Sequence, residues 1–137
     1  VSENAASVTY AIEERVDAAE VADLFRRSGI NRPVDDLPRI EKMVAHANLM
    51  ITARDGERLV GIARALTDFS FCCYLSDLAV DRVRQRQGIG RELVRRVREA
   101  IGPDSMLLLL AAPTAMDYYP HIGFDKVENA WTLPRQR

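Results

Sequence analysis

The stretch from residue 71 to residue 111 constrains the fold most. "FCCYLSDLAV" (71–80) is rich in aromatic and β-compatible residues and reads as a strand. "GIGRELVRRVREAIG" (88–102) then places Leu93, Val94, Val97 and Ile101 on one helical face and Arg91, Arg95 and Arg98 on another. "SMLLLLA" (105–111) shows no alternation, as expected of a strand buried on both faces. Strand, helix, strand in that order make a crossover, and a crossover joins parallel strands.

The remaining elements read as antiparallel. "VTYAIEERV" (8–16) is a strand, and "DAAEVADLFRRSG" (17–29) is a helix with Asp17 as its cap, Glu20 closing a capping box and Gly29 as its stop. "DDLPRIEKMVAHA" (35–47) is a second helix, capped by Asp36. "NLMITARDGERLVGIARALTD" (48–68) is a hairpin turning at Asp55-Gly56. "TAMDYYPHIG" (114–123) is a short helix with Thr114 and Asp117 as a capping box, and "FDKVENAWTLP" (124–134) supplies one or two last strands. The sum is one α+β domain over residues 1–137, with a mixed, mostly antiparallel sheet flanked by helices in three layers.

Composition narrows the function classes. A net charge of -1 argues against bulk attraction to nucleic acid or membrane. No apolar run approaches the roughly 20 residues of a membrane span. "VSENAASVTY" lacks the basic and apolar regions of a signal peptide, so a soluble, cytoplasmic protein is expected. Cys72 and Cys73 are adjacent, which suits strand packing better than a bridge, and no metal pattern stands out around them or around His46 and His121.

"RQRQGIG" (84–90) sits between a strand and a helix. Such a loop presents unpaired N–H groups and the positive end of a helix dipole, while Gly88 and Gly90 let a ligand reach the backbone. Arg86 and Arg91 add charge, so a pyrophosphate suits the site. The dinucleotide fingerprint lacks its third glycine, because position 93 is Leu93, and no Gly-Lys-Ser/Thr follows for a Walker loop. A plain turn before an amphipathic helix is the competing explanation.

"LAVDRVRQRQGIGRELVRRV" resembles motif A of the GCN5-related N-acetyltransferases, the GNAT superfamily, whose pattern Q/R-x-x-G-x-G/A is met by Gln85-Arg86-Gln87-Gly88-Ile89-Gly90. "YYPHIGF" (118–124) is similar to the family's Tyr-x-x-x-Gly-Phe segment, with Tyr119 in the tyrosine position, and the element order matches over nearly the whole chain. The resemblance implies that the strands over 71–80 and 105–111 form a parallel pair at the centre of the sheet, splayed to admit coenzyme A. It implies that Gln85, Arg86, Gln87, Gly88, Ile89, Gly90 and Arg91 hold the pyrophosphate, and that Leu78, Ala79 and Val80 pair with the pantetheine arm.

The implied reaction is acetyl transfer from acetyl-CoA to a primary amine, on a small molecule or a peptide, by direct attack in a ternary complex. No metal takes part in that expectation. Tyr119 is the candidate acid for the leaving thiolate, with Tyr118 its neighbouring rival. Asp77 is the candidate base, although some family members carry a glutamate on this strand and "FCCYLSDLAV" has none; a water chain with no dedicated base is the rival. Asn31 and Arg32 fall in the segment that borders the family's acceptor site, and His121 falls at a variable spot of the tyrosine segment. Trp131 is expected in the core or at a dimer contact; a homodimer fits the family, but no segment marks one. The alternative function is a catalytically silent acyl-CoA-binding module.

Overall fold

The computed structural model describes residues 7–137. Its elements in order are β1 (Val8–Ile12), α1 (Ala18–Ser28), α2 (Leu37–His46), β2 (Leu49–Asp55), β3 (Arg58–Thr67), β4 (Cys72–Val80), α3 (Ile89–Ile101), β5 (Met106–Leu108) and α4 (Tyr118–His121). They form one five-stranded sheet in the order β1-β2-β3-β4-β5, antiparallel except for the parallel β4–β5 pair. That pair lies at the edge of the sheet, not at its centre, because residues 125–137 form no strand.

Helices cover both faces. Leu24 and Phe25 of α1 and Ile40 of α2 are fully buried against Leu59, Ile62 and Ala79. On the other face Leu93, Val94, Val97 and Ile101 of α3 pack on Ile51, Ala63 and Leu75, as the helix periodicity predicts. Each such side chain contributes about 1.5–3 kcal/mol by burial. Gly61 marks the closest approach of α3 to the sheet. A Cβ there would stand 3.0 Å from Ile89 Cγ2 and 3.2 Å from Leu93 Cδ1.

The helix ends follow the sequence closely. Asp17 accepts from the Ala19 N–H, Gly29 closes α1 at φ 82°, and Asp36 accepts from the Arg39 N–H. Glu20 does not close a capping box; both its oxygens accept from Arg54 of β2. The Thr114–Asp117 box is also absent, since a 3-10 turn (Pro113–Ala115) precedes the single turn of α4.

One irregularity organises the sheet. Ala65 faces Leu75, but the next pair is Arg64 with Asp77, so Ser76 is an extra residue on β4. A bulge of this kind shifts the register and reverses the faces that follow. Leu75 accordingly joins the α3 core, whereas Asp77 meets Arg64 and Arg32 on the α1–α2 side. Two residues before the bulge, Tyr74 pairs with Leu108, and there the β4–β5 ladder stops. The strand expected over 105–111 therefore shrinks to three residues.

Both arginines fasten the bulge. Arg32 Nε donates to Asp77 Oδ1 at 2.5 Å and its Nη2 to the Ser76 carbonyl at 2.8 Å. Arg64 Nε donates to Asp77 Oδ2, its Nη2 to Ser76 Oγ at 3.0 Å and its Nη1 to the Met43 carbonyl of α2. The Asp77 side chain is 0% exposed. A carboxylate out of water is stable only when paired, and removing one partner of such a group costs about 3–5 kcal/mol.

Two stability predictions follow from this packing. Gly61→Ala is expected to destabilise the protein by about 1–3 kcal/mol, because Ile89 and Leu93 must give way; the midpoint of urea unfolding measures it. Asp77→Ala strands two guanidinium groups, and the same titration should show a loss of about 3–5 kcal/mol, whereas breaking the solvent-exposed Arg95–Glu99 pair should leave the midpoint almost unmoved.

Candidate active site

The loop between β4 and α3 is braced from beneath. Asp81, 4% exposed, accepts from Arg27 of α1 and from the Val83 N–H. Arg82 in turn donates to the Arg26 and Arg27 carbonyls at the end of α1, where a cation is favourable. Arg84, 2% exposed, reaches Asp55 at the β2–β3 turn and the Gln87 side-chain oxygen. Gln85 donates to the Val80 carbonyl. Sequence reading missed Asp81 and Arg84 as positioning residues, since their partners lie far away in the chain.

Above this base the backbone is shaped for an anion. Gly88 holds φ 84° and ψ 4°, and nothing stands within 4 Å of where its Cβ would be. Arg86 also has a positive φ, 67°, which a non-glycine residue holds at a cost of order 1–2 kcal/mol. No side chain caps α3, and Glu92 is the first residue whose N–H turns back, to the Gly88 carbonyl. The N–H groups of Ile89, Gly90 and Arg91 precede that first helical bond, so they are aimed outward with the positive end of the helix dipole.

Gly90 links this loop to the tyrosine segment. A Cβ on Gly90 would lie 2.8 Å from the Tyr118 hydroxyl and 3.8 Å from Val80 Cγ2. Tyr118 therefore leans over the start of α3, and its phenol is pushed up by burial, with Arg91 opposing. Tyr119 is half-buried, edge-on to Tyr118 at 5.2 Å and to Phe124 at 5.4 Å. Burial raises its phenol above the ordinary value of 10.0, Tyr118 adds to the rise, and the charge of Arg32 opposes it. The phenol is thus protonated across the neutral range.

Past Tyr74 no strand among the described residues pairs with the outer edge of β4, while Leu78, Ala79 and Val80 remain paired on the other side with Ala63, Ile62 and Gly61. A groove of about 1200 Å3 also runs between α3, β5 and residues 116–130; it touches Gly88, Arg91 and Tyr119 but not Leu78–Val80.

The expected roles of Asp77 and Trp131 change. Asp77 is no free base, because both its oxygens accept from guanidinium groups and none of it meets solvent. Trp131 is 95% exposed, so it is not in the core. His46 turns back onto the Lys42 carbonyl, His121 lies exposed on α4, and Arg95 is a solvated ion pair with Glu92 and Glu99. Among the described residues no cluster of His, Cys, Asp or Glu is arranged to hold a metal, and no helix is long and apolar enough to cross a membrane.

Residues 14–132 match the family described as an acetyltransferase (GNAT) domain. The chain is 33% identical over 78 residues to the GCN5-related N-acetyltransferase 2, chloroplastic, of Arabidopsis thaliana, covering 52% of this chain and 30% of that protein. It is 26% identical over 98 residues to the N-acetyltransferase ycf52 of Gracilaria tenuistipitata var. liui, covering 69% of this chain and 54% of that protein. It spans about half the length of these relatives, or less. Among solved structures, the GNAT family acetyltransferase SP0256 from Streptococcus pneumoniae TIGR4 superposes with a TM-score of 0.74 at 23% identity, over 93% of this chain and 99% of that one. The aminoglycoside N-acetyltransferase AAC(6')-Iy in complex with CoA superposes with a TM-score of 0.69 at 14% identity, over 95% of each. At such identities the structures share the fold alone, but the family match covers most of the sequence, and this chain belongs to the GNAT acetyltransferases.

Proposed function

We propose that the protein transfers the acetyl group of acetyl-CoA to a primary amine by direct attack in a ternary complex. The observation that carries this is the meeting of the uncapped start of α3 with the end of β4 and the tyrosine segment: Gly90 lies against Val80 and Tyr118, Tyr119 packs on Tyr118, and β4 is unpaired by β5 beyond Tyr74. The outward N–H groups of Ile89, Gly90 and Arg91, with the backbone of Gln85–Gly88, suit a pyrophosphate. Leu78, Ala79 and Val80 offer the free strand edge to a pantetheine arm, except that the Val80 carbonyl already takes the Gln85 amide.

When bound, acetyl-CoA supplies an activated acyl carbon on a good leaving group. The acceptor nitrogen must reach that carbon neutral, yet at pH 7 only on the order of one lysine-like amine in a thousand is neutral. As the C–N bond forms and the C–S bond breaks, the nitrogen sheds a proton and the departing sulfur keeps the electron pair. Unpaired N–H groups on β4 suit the carbonyl oxygen. Tyr119, held protonated by burial, gives the sulfur its proton. With Asp77 locked between arginines, the amine proton leaves through water. The same locked carboxylate favours one alternative, an acyl-CoA-binding module without turnover.

Thermal unfolding separates a coenzyme site from a plain turn. Acetyl-CoA or CoA at 100 times its dissociation constant should add about 2.7 kcal/mol and raise the midpoint by several degrees, whereas ATP and NAD should not. No shift with either coenzyme would sink the reading. Release of CoA on adding an amine then distinguishes the enzyme from the silent module. In the enzyme, Tyr119→Phe should lower kcat by about 10²- to 10⁴-fold with little change in acetyl-CoA affinity. Because the Tyr119 phenol is raised, the loss of its proton should limit the wild-type rate only above pH 10. Full activity in Tyr119→Phe would remove the acid role but keep the enzyme.

A further inference from the structure

We propose that Arg32 binds a carboxylate carried by the acceptor itself, so that the substrates are amino acids rather than plain amines or polyamines. The assignment rests on the acyl-transfer reading above and names the substrate class of that site.

The argument starts from charge. Two guanidinium groups share the one carboxylate of Asp77, which leaves the cluster with a formal excess of one positive charge. Arg64 cannot present that charge outward: its side chain is 7% exposed, and its donors are directed to Asp77, Ser76 and Met43. Arg32 is the member solvent can reach, at 26%. It is also fixed in place. Nε holds Asp77, Nη2 holds the Ser76 carbonyl, and Nη1 holds the Asn31 carbonyl at 2.7 Å. A guanidinium carries five N–H donors, and three are used, so two on the terminal nitrogens stay available to a ligand. A planar fork with its stem already immobilised loses little further entropy on gripping a carboxylate.

Position completes the argument. Arg32 grips Ser76 and Asp77, two and three residues past Tyr74, where β4 parts from β5. It therefore stands beside the open strand edge, where an acceptor must lie for its nitrogen to attack, and its charge opposes the rise of the Tyr119 phenol. A second cation on the acceptor would be repelled by the net charge of the cluster, whereas an anion would be drawn in.

The test compares substrates differing only in that group. CoA release from acetyl-CoA is followed with α-amino acids and ω-amino acids, and with the amide of each. The wild type should prefer the carboxylates by about 10- to 100-fold in kcat/KM, the range of one charge-assisted pair. Arg32→Gln should erase most of that preference, and Arg32→Lys should restore part of it. Arg32→Gln should lose stability but still fold, since the buried Asp77 keeps Arg64 as its partner; its melting point and acetyl-CoA binding check this. Equal or better turnover of the amides by the wild type would overturn the assignment without any variant, and so would an unchanged preference in folded Arg32→Gln. Failure to bind acetyl-CoA, or no turnover of any amine, would instead overturn the acyl-transfer reading, and the role of Arg32 with it.

Discussion

The buried carboxylate of Asp77 sets the terms for the rest of the molecule. A charged group with no solvent contact must be paired, and here it is paired twice, by one arginine from β3 and one from the loop after α1. The same two side chains satisfy the backbone and hydroxyl of Ser76, the extra residue of the β4 bulge. The clamp thus stabilises the irregularity that turns Asp77 away from the α3 core, two residues past the point where the β4–β5 ladder stops. Beyond Tyr74 the edge of β4 has no β5 partner, and the proposed chemistry depends on that edge.

A second set of buried charges does comparable work at the other end of β4. Asp81 and Arg84 tie the glycine loop to α1 and to the β2–β3 turn. Arg82 caps α1 with the same stretch of chain. The loop can therefore leave the N–H groups of α3 uncapped and hold Arg86 at positive φ, because its shape is fixed from below. Preorganised donors of this kind need no rearrangement when an anion arrives.

Local patterns were the legible part of the sequence. The Asp55-Gly56 hairpin, the caps of α1 and α2, the α3 stripe, the glycine loop and the parallel β4–β5 pair all rest on residues close together in the chain. Asp77 was misjudged because its partners, Arg32 and Arg64, are 45 and 13 residues away, and nothing in "FCCYLSDLAV" reveals a bulge at Ser76. The length of β5 was overestimated for the same reason: its own residues favour a strand, but a strand ends where its partner turns aside. The strands expected over 124–134 fail for want of an edge. A three-residue β5 offers little ladder to join, and Val127, Trp131 and Leu133 stay exposed.

The central claim is that one ligand spans the glycine loop and the open edge of β4. Amide hydrogen exchange with and without CoA tests it most directly, because it reads both places at once. Slower exchange, by tenfold or more, at Ile89, Gly90 and Arg91 and also within Leu75–Val80 is the predicted result. Protection confined to the start of α3 would describe a phosphate site with no pantetheine path, and unchanged exchange at both would contradict the account outright.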